Sequence, residues 1–215
     1  MLKILCFGDS ITYGENDPVN GGWVELLKKQ FLTKYANSLF QEAFVFNLGI
    51  GGETTDGLIC RFESEFSSRT HKNQNSIVIL SYGANDIVIH KGKNKVPQQY
   101  FERNLLQSIK RAQSLGGRVV LTGILPIADS NDGTVNQHGD IRFSRDVESY
   151  NRLLKNISKE NQCQYIDLFA EFKRHSAKSL FCEDGLHPNS EGHQLIFYSV
   201  DKTLAVLSHQ TSEKQ

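Results

Sequence analysis

The chain has no excess of charge of either sign: 24 Lys and Arg balance 24 Asp and Glu among 215 residues. A neutral chain offers no field to draw nucleic acid or an anionic membrane, so neither is expected as a partner. It also lacks any uncharged apolar stretch long enough to span a bilayer, so no stable membrane insertion is expected. The apolar run Met1-Leu2-Lys3-Ile4-Leu5-Cys6-Phe7 is too short for a secretion-signal core and has no small-residue cleavage site. It reads as a buried strand, and a cytoplasmic location is the simpler expectation. Cysteine is scarce, with residues only at 6, 60, 163 and 182. Their spacing resembles neither a small disulfide scaffold nor a zinc site. All four are expected to be reduced and structural, Cys6 and Cys163 in strands, with Cys182 the one open to solvent. Repeats, low-complexity blocks and Pro/Gly-rich linkers are absent as well.

What is present is an ordinary globular balance, 39% apolar and 22% charged, which excludes a disordered chain. The length suits one α/β domain, expected over 1–208 with a polar tail at 209–215. Apolar runs that read as buried strands lie at 3–7, 44–48, 76–81, 118–122 and 164–168. Helical patterns lie between and after them, at 23–35, 55–66, 98–115, 144–160 and 190–207. In the third of these, Phe101, Leu105, Ile109 and Ala112 recur at helical spacing, and Gly116-Gly117 follows as a stop. Ser190 is a plausible N-cap for the last helix. Short strands that are apolar on both faces and alternate with helices imply a parallel sheet covered on both sides. The expected fold is α/β, a single three-layer α/β/α domain with a five-stranded parallel, flavodoxin-like sheet. Functional residues in such sheets gather just beyond the carboxyl ends of the strands.

Four segments meet that demand. The first strand runs into Gly8-Asp9-Ser10-Ile11-Thr12-Tyr13-Gly14, a tight turn that presents a serine. The second is followed by Gly49-Ile50-Gly51-Gly52-Glu53-Thr54-Thr55, where glycines let the backbone approach a ligand. The third ends in Ser81-Tyr82-Gly83-Ala84-Asn85-Asp86. Near the C-terminus stands Cys182-Glu183-Asp184-Gly185-Leu186-His187-Pro188, with the acid three residues before the histidine.

Together these segments, in this order from Gly8 to Pro188, resemble the SGNH branch of the GDSL esterase/lipase superfamily. Ile11 stands where the family's Gly-Asp-Ser-Leu has leucine, a conservative change. The resemblance implies a serine hydrolase in which Ser10 attacks the acyl carbon. His187 would take its proton, and Asp184 would hold the imidazole in one tautomer. It also implies an oxyanion hole made by the N–H groups of Ser10 and Gly52 and the amide of Asn85. Gly52 is preferred to Gly51 because family members carry the glycine before Thr- or Asp-type residues. The α/β-hydrolase elbow Gly-Xaa-Ser-Xaa-Gly is not matched, since Asp9 separates Gly8 from Ser10 and no glycine stands at 12.

Each of these residues also has a plainer reading. Ser10 alone suits an N-cap for a helix starting near Ile11. The glycines at 49–52 suit a turn, and Asn85 and Asp86 suit an Asx turn, Asp86 being read as structural. His71, His90, His138, His175 and His209 read as surface residues, and His193 as a helix-face residue. No pair of histidines has metal-ligand spacing beside an acid, so no metal is expected. The glycine stretch lacks the dinucleotide fingerprint, so no cofactor is expected either.

Segments 13–22, 87–96 and 125–142 should frame the crevice, the last being a long polar loop suited to a lid or binding surface. That polarity points to a small-molecule ester with a short acyl group, such as an acetylated sugar or metabolite. The alternative is a lysophospholipase or acyl-thioesterase, with Ile11, Ile87, Val88, Leu125, Ile127 and Phe181 as an apolar acyl pocket. A non-catalytic carbohydrate- or lipid-binding domain is the reading from a different class.

Overall fold

The first strand, β1 (Leu2–Gly8), has strands on both edges and helices on both faces, which leaves Ile4, Leu5, Cys6 and Phe7 without solvent exposure. The structure, a computed structural model, describes residues 1–37, 42–71 and 74–212, with backbone only at 177, 178 and 208–212. Beside β1 lie β2 (Ala43–Gly49) and β3 (Ser76–Ser81), both parallel to it. Two short strands follow, β4 (Ile89–His90) and β5 (Lys93–Asn94). Next come β6 (Gly117–Thr122), β7 (Asp140–Ile141) and β8 (Gln164–Ile166). The main sheet is five-stranded and all-parallel in the order β2-β1-β3-β6-β8, as expected.

The helices are α1 (Ser10–Tyr13), α2 (Trp23–Ala36), α3 (Thr55–Arg69), α4 (Gln98–Ser114), α5 (Ser144–Glu160), α6 (Leu168–Lys173), α7 (Ala177–Leu180) and α8 (Ser190–Ser212). Successive side chains of a strand point to opposite faces, and β1 divides accordingly. Ile4 and Cys6 join Trp23 and Leu27 of α2 and Ile196 and Val200 of α8 in one core. Leu5 and Phe7 join Phe62 and Phe66 of α3, Phe101 and Leu105 of α4 and Leu154 of α5 in the other. The three layers follow from that division.

Several local expectations are corrected. The fifth strand stops at Ile166, because the Asp167 carboxylate caps α6 by accepting from the Ala170 N–H at 3.0 Å. Cys163 lies just before this strand, which begins at Gln164, and Cys60, rather than Cys182, is the exposed thiol. At the start of α8 the capping oxygen belongs to Asn189, which accepts from the Gly192 N–H at 3.0 Å. Ser190 instead donates its hydroxyl to Asp17 at 2.6 Å. That helix runs on to Ser212, into the expected tail; 213–215 lie outside the described residues. A second sheet, β5-β4-β7, was not expected and is antiparallel. It joins two of the crevice-framing segments to each other.

Candidate active site

The chain passes from β1 to β2 on one side of the sheet and from β3 to β6 and β8 on the other, so β1 and β3 flank the topological switch point. Open α/β sheets bind ligands outside the carboxyl ends of the strands at that point. Register makes the meeting place narrow: Gly8 of β1 lies level with Gly49 of β2 and Ser81 of β3. Ser10, Gly52 and Asn85 follow these three ends by two, three and four residues.

Asp9, not Ser10, caps α1. Its extended backbone turns the chain, and its carboxylate accepts from the Ile11 N–H at 3.0 Å. This displaces the plainer reading of Ser10 and leaves the Ser10 hydroxyl free for another partner. That partner is His187, whose Nε2 lies 2.9 Å from Ser10 Oγ. The other ring nitrogen, Nδ1, lies 2.5 Å from Asp184 Oδ2. Asp184 Oδ1 accepts from the N–H groups of Leu186 and His187, both at 3.0 Å, so the turn folds the carboxylate back under the ring. Burial works to raise the Asp184 pKa, but the hydrogen bonds from His187 and the two backbone N–H groups together hold it below the ordinary value. An ionised acid at Nδ1 favours the proton on Nδ1, and in the neutral ring this leaves the Nε2 lone pair facing the serine hydroxyl.

Asn85 does not spend its amide on a local Asx turn. Its Nδ2 donates to Glu53 O at 3.1 Å and reaches Asp9 Oδ2 at 3.4 Å, across to the loops after β2 and β1. Asp86 points the other way and is fully buried, accepting from the Thr55 N–H at 2.9 Å and the Thr55 hydroxyl at 2.5 Å. Burial pushes its carboxyl up to about 6. Asp86 thus pins the start of α3, the structural part read for it. Gly52 sits in the turn closed by the Glu53 N–H on Ile50 O at 3.1 Å, with φ of +74°. A Cβ there would meet nothing within 4 Å, so the backbone at Gly52 borders open space. Gly49 is confined instead, since a Cβ on it would lie 2.1 Å from Tyr13 N. Among the described residues, no group of three or more His, Cys, Asp or Glu is placed to hold a metal ion.

A model of the GDSL-like lipase/acylhydrolase family matches residues 6–195. The chain belongs to this family. It is accordingly an ester-hydrolysing enzyme. Curated relatives include an arylesterase of Vibrio mimicus, 25% identical over 88% of this chain and 81% of its own length. Another is the uncharacterized lipoprotein YqeF of Bacillus subtilis, 26% identical over 79% of this chain and 71% of its own. Among solved structures, the lipase/acylhydrolase from Enterococcus faecalis superposes with a TM-score of 0.74 at 23% identity, covering 95% of each chain. Among the described residues, no helix is long and apolar enough to cross a membrane.

Around this candidate site stand residues that the motifs did not single out. Arg142 Nε donates to Ala84 O at 2.8 Å, and its Nη2 donates to Asn85 Oδ1 at 3.4 Å. Asn131 Nδ2 donates to Asp184 O at 2.5 Å, and the Ala128 N–H donates to Gly185 O at 3.1 Å. Both residues come from the long polar segment, which is tied to the site rather than hanging free. His193, read as a helix-face residue, is fully buried, and burial lowers its pKa. It accepts from the Trp23 N–H at 3.4 Å. Its place in the first turn of α8 was the available signal.

Proposed function

We propose that the enzyme is a serine esterase working through a Ser10-His187-Asp184 triad and an acyl-enzyme intermediate. The observation that carries this is the chain of contacts from Ser10 Oγ to His187 Nε2 at 2.9 Å and from His187 Nδ1 to Asp184 at 2.5 Å. Ser10 Oγ attacks the ester carbonyl carbon while its proton passes to Nε2. The resulting imidazolium lies against the Asp184 carboxylate. The carbonyl oxygen becomes an oxyanion, received by the N–H groups of Ser10 and Gly52 and by the Asn85 amide. When the tetrahedral species collapses, the alcohol leaves with the proton from Nε2. Water then repeats the sequence on the acyl-enzyme and releases the acid. No metal or cofactor enters the proposal.

A short acyl group, of acetyl type, fits best. Ile11, Ile87, Val88, Leu125, Ile127 and Phe181 are the residues read as an acyl pocket in the long-chain alternative, and all six are buried. Ile11, Leu125 and Phe181 belong to one core cluster, and Ile87 and Ile127 to the other. Their surface is already committed to side-chain packing, which argues against the lysophospholipase and thioesterase reading. A cytoplasmic location remains part of the proposal, supported by four free cysteines and tested by cell fractionation.

Labelling with a fluorophosphonate probe tests the nucleophile. Wild type should gain one covalent adduct on the peptide carrying Ser10, and Ser10→Ala should gain none. An unlabelled wild type would favour a binding domain, and an adduct on another serine would displace Ser10.

A further inference from the structure

Arg142 closes the long polar segment, directly after β7, and brings a partly buried cation to the site from outside the four motif segments. Its two hydrogen bonds land on adjacent residues of one loop, Ala84 O and Asn85 Oδ1. A guanidinium can only donate. The Asn85 atom facing it must therefore be the oxygen, which turns Nδ2 toward Glu53 O and Asp9. Because the two donors belong to one rigid plane, fixing Ala84 O also fixes the angle from which Asn85 is approached.

The charges around the amide point the same way. Asp9 lies 3.4 Å from Asn85 Nδ2, so its carboxylate, when ionised, opposes any negative charge that develops on the substrate beside that donor. Arg142 is a cation within electrostatic reach of Asp140, Asp9 and Asp184. Removing it would leave Asn85 Oδ1 without this donor and take away one of the cations that offset the Asp9 carboxylate.

We propose that Arg142 is a positioning residue for the oxyanion hole, holding Asn85 with its N–H toward the substrate and offsetting the negative charge of Asp9 beside it. The inference rests on the assignment of Asn85 as an oxyanion donor.

The test is a double-mutant cycle on p-nitrophenyl acetate with Arg142→Ala, Arg142→Lys and Asn85→Ala, measuring kcat and KM separately. Arg142→Ala should lower kcat roughly a hundredfold, the scale for a misplaced catalytic group, with KM little changed. Arg142→Lys should recover little of that, since an ammonium cannot make the two-pronged contact. In the Asn85→Ala background the Arg142 substitutions should cost little more, because the group they act through is gone. Equal losses in both backgrounds would show a merely structural role and overturn the inference. So would an unchanged kcat, or a rise in KM alone, which would mark a substrate-binding arginine. If Arg142→Ala does not fold by circular dichroism, Arg142→Lys closes the same cycle, with loss or persistence of additivity read in the same way. Asn85→Ala with intact kcat would overturn the oxyanion assignment itself, and this inference with it. Asn85→Ala with reduced kcat but additive effects would overturn this inference alone.

Discussion

Asp9 stands one residue before the proposed nucleophile, buried, with its carboxylate shared between the Ile11 N–H and the Asn85 amide. Burial raises its pKa from 3.8 to about 7, outweighing the hydrogen bond from Ile11 and the attraction of His187. The unfolded chain ionises this group at its ordinary value, so between about 4 and about 7 the folded protein binds the extra proton. Stability from Asp9 is therefore fully present below about pH 4 and is lost as pH rises through about 7. From pH 5 to pH 8 that loss is on the order of 2 kcal/mol. Urea denaturation at the two pH values should show wild type weakening by more than Asp9→Asn. Equal losses in the two proteins would contradict this role for Asp9. At this scale Ser10, Asp184 and His187 were legible as candidates, because each sits in a short local motif beside a strand end or tight turn. Asp9 was visible only as part of the motif. Arg142 was not visible at all, since its partners lie 57 and 58 residues away in the chain.

Among the elements, the buried strands and long helices were legible because burial on both faces leaves unbroken apolar runs and burial on one face leaves a helical stripe. The strands β4, β5 and β7 are two residues each and carry no such pattern. They exist because Ile89 pairs with both Asn94 and Ile141, a tertiary fact. His90 and Lys95 then meet Asp140 at 2.9 and 3.1 Å, so His90, read as a surface residue, is also a pairing one. The same pairing anchors one end of the 125–142 segment, and Ala128 and Asn131 anchor its middle to the turn that holds Asp184. Even a Cβ on Gly185 would meet Ala128 and Asn131 at 2.8 Å. The segment thus braces the proposed triad. Asn131→Ala removes the bond to Asp184 O while leaving the Asp184 carboxylate intact. Its expected effect is a kcat reduced roughly tenfold, since small displacements of a catalytic group are costly. Stability should fall by only about 1 kcal/mol, the net value of one hydrogen bond. Steady-state kinetics beside a thermal melt would check both, and an unchanged kcat would remove the bracing role.

At the scale of the whole molecule, the strand order places the chain reversal between β1 and β3, and the level ends of β1, β2 and β3 bring three separate loops to one spot. The α8 approach then delivers His187 from the far end of the sequence to Ser10, 177 residues away. Fold class and the positions of the motifs relative to strand ends were readable, because the crossover rule leaves few topologies for alternating strands and helices. Which apolar residues were available to a substrate was not readable, because pattern alone does not separate a pocket wall from core. The two cores take up Ile11, Leu125, Phe181, Ile87 and Ile127 from the candidate acyl pocket, and the protein is therefore expected to favour small acyl groups.

The most direct measurement is hydrolysis of p-nitrophenyl esters from acetyl to long acyl chains by wild type and Ser10→Ala. The highest kcat/KM is expected on acetyl or other short esters, with a steep decline with chain length and turnover by Ser10→Ala reduced by at least about a thousandfold. A wild-type preference for long chains would contradict the short-acyl proposal, and undiminished turnover by Ser10→Ala would contradict the triad.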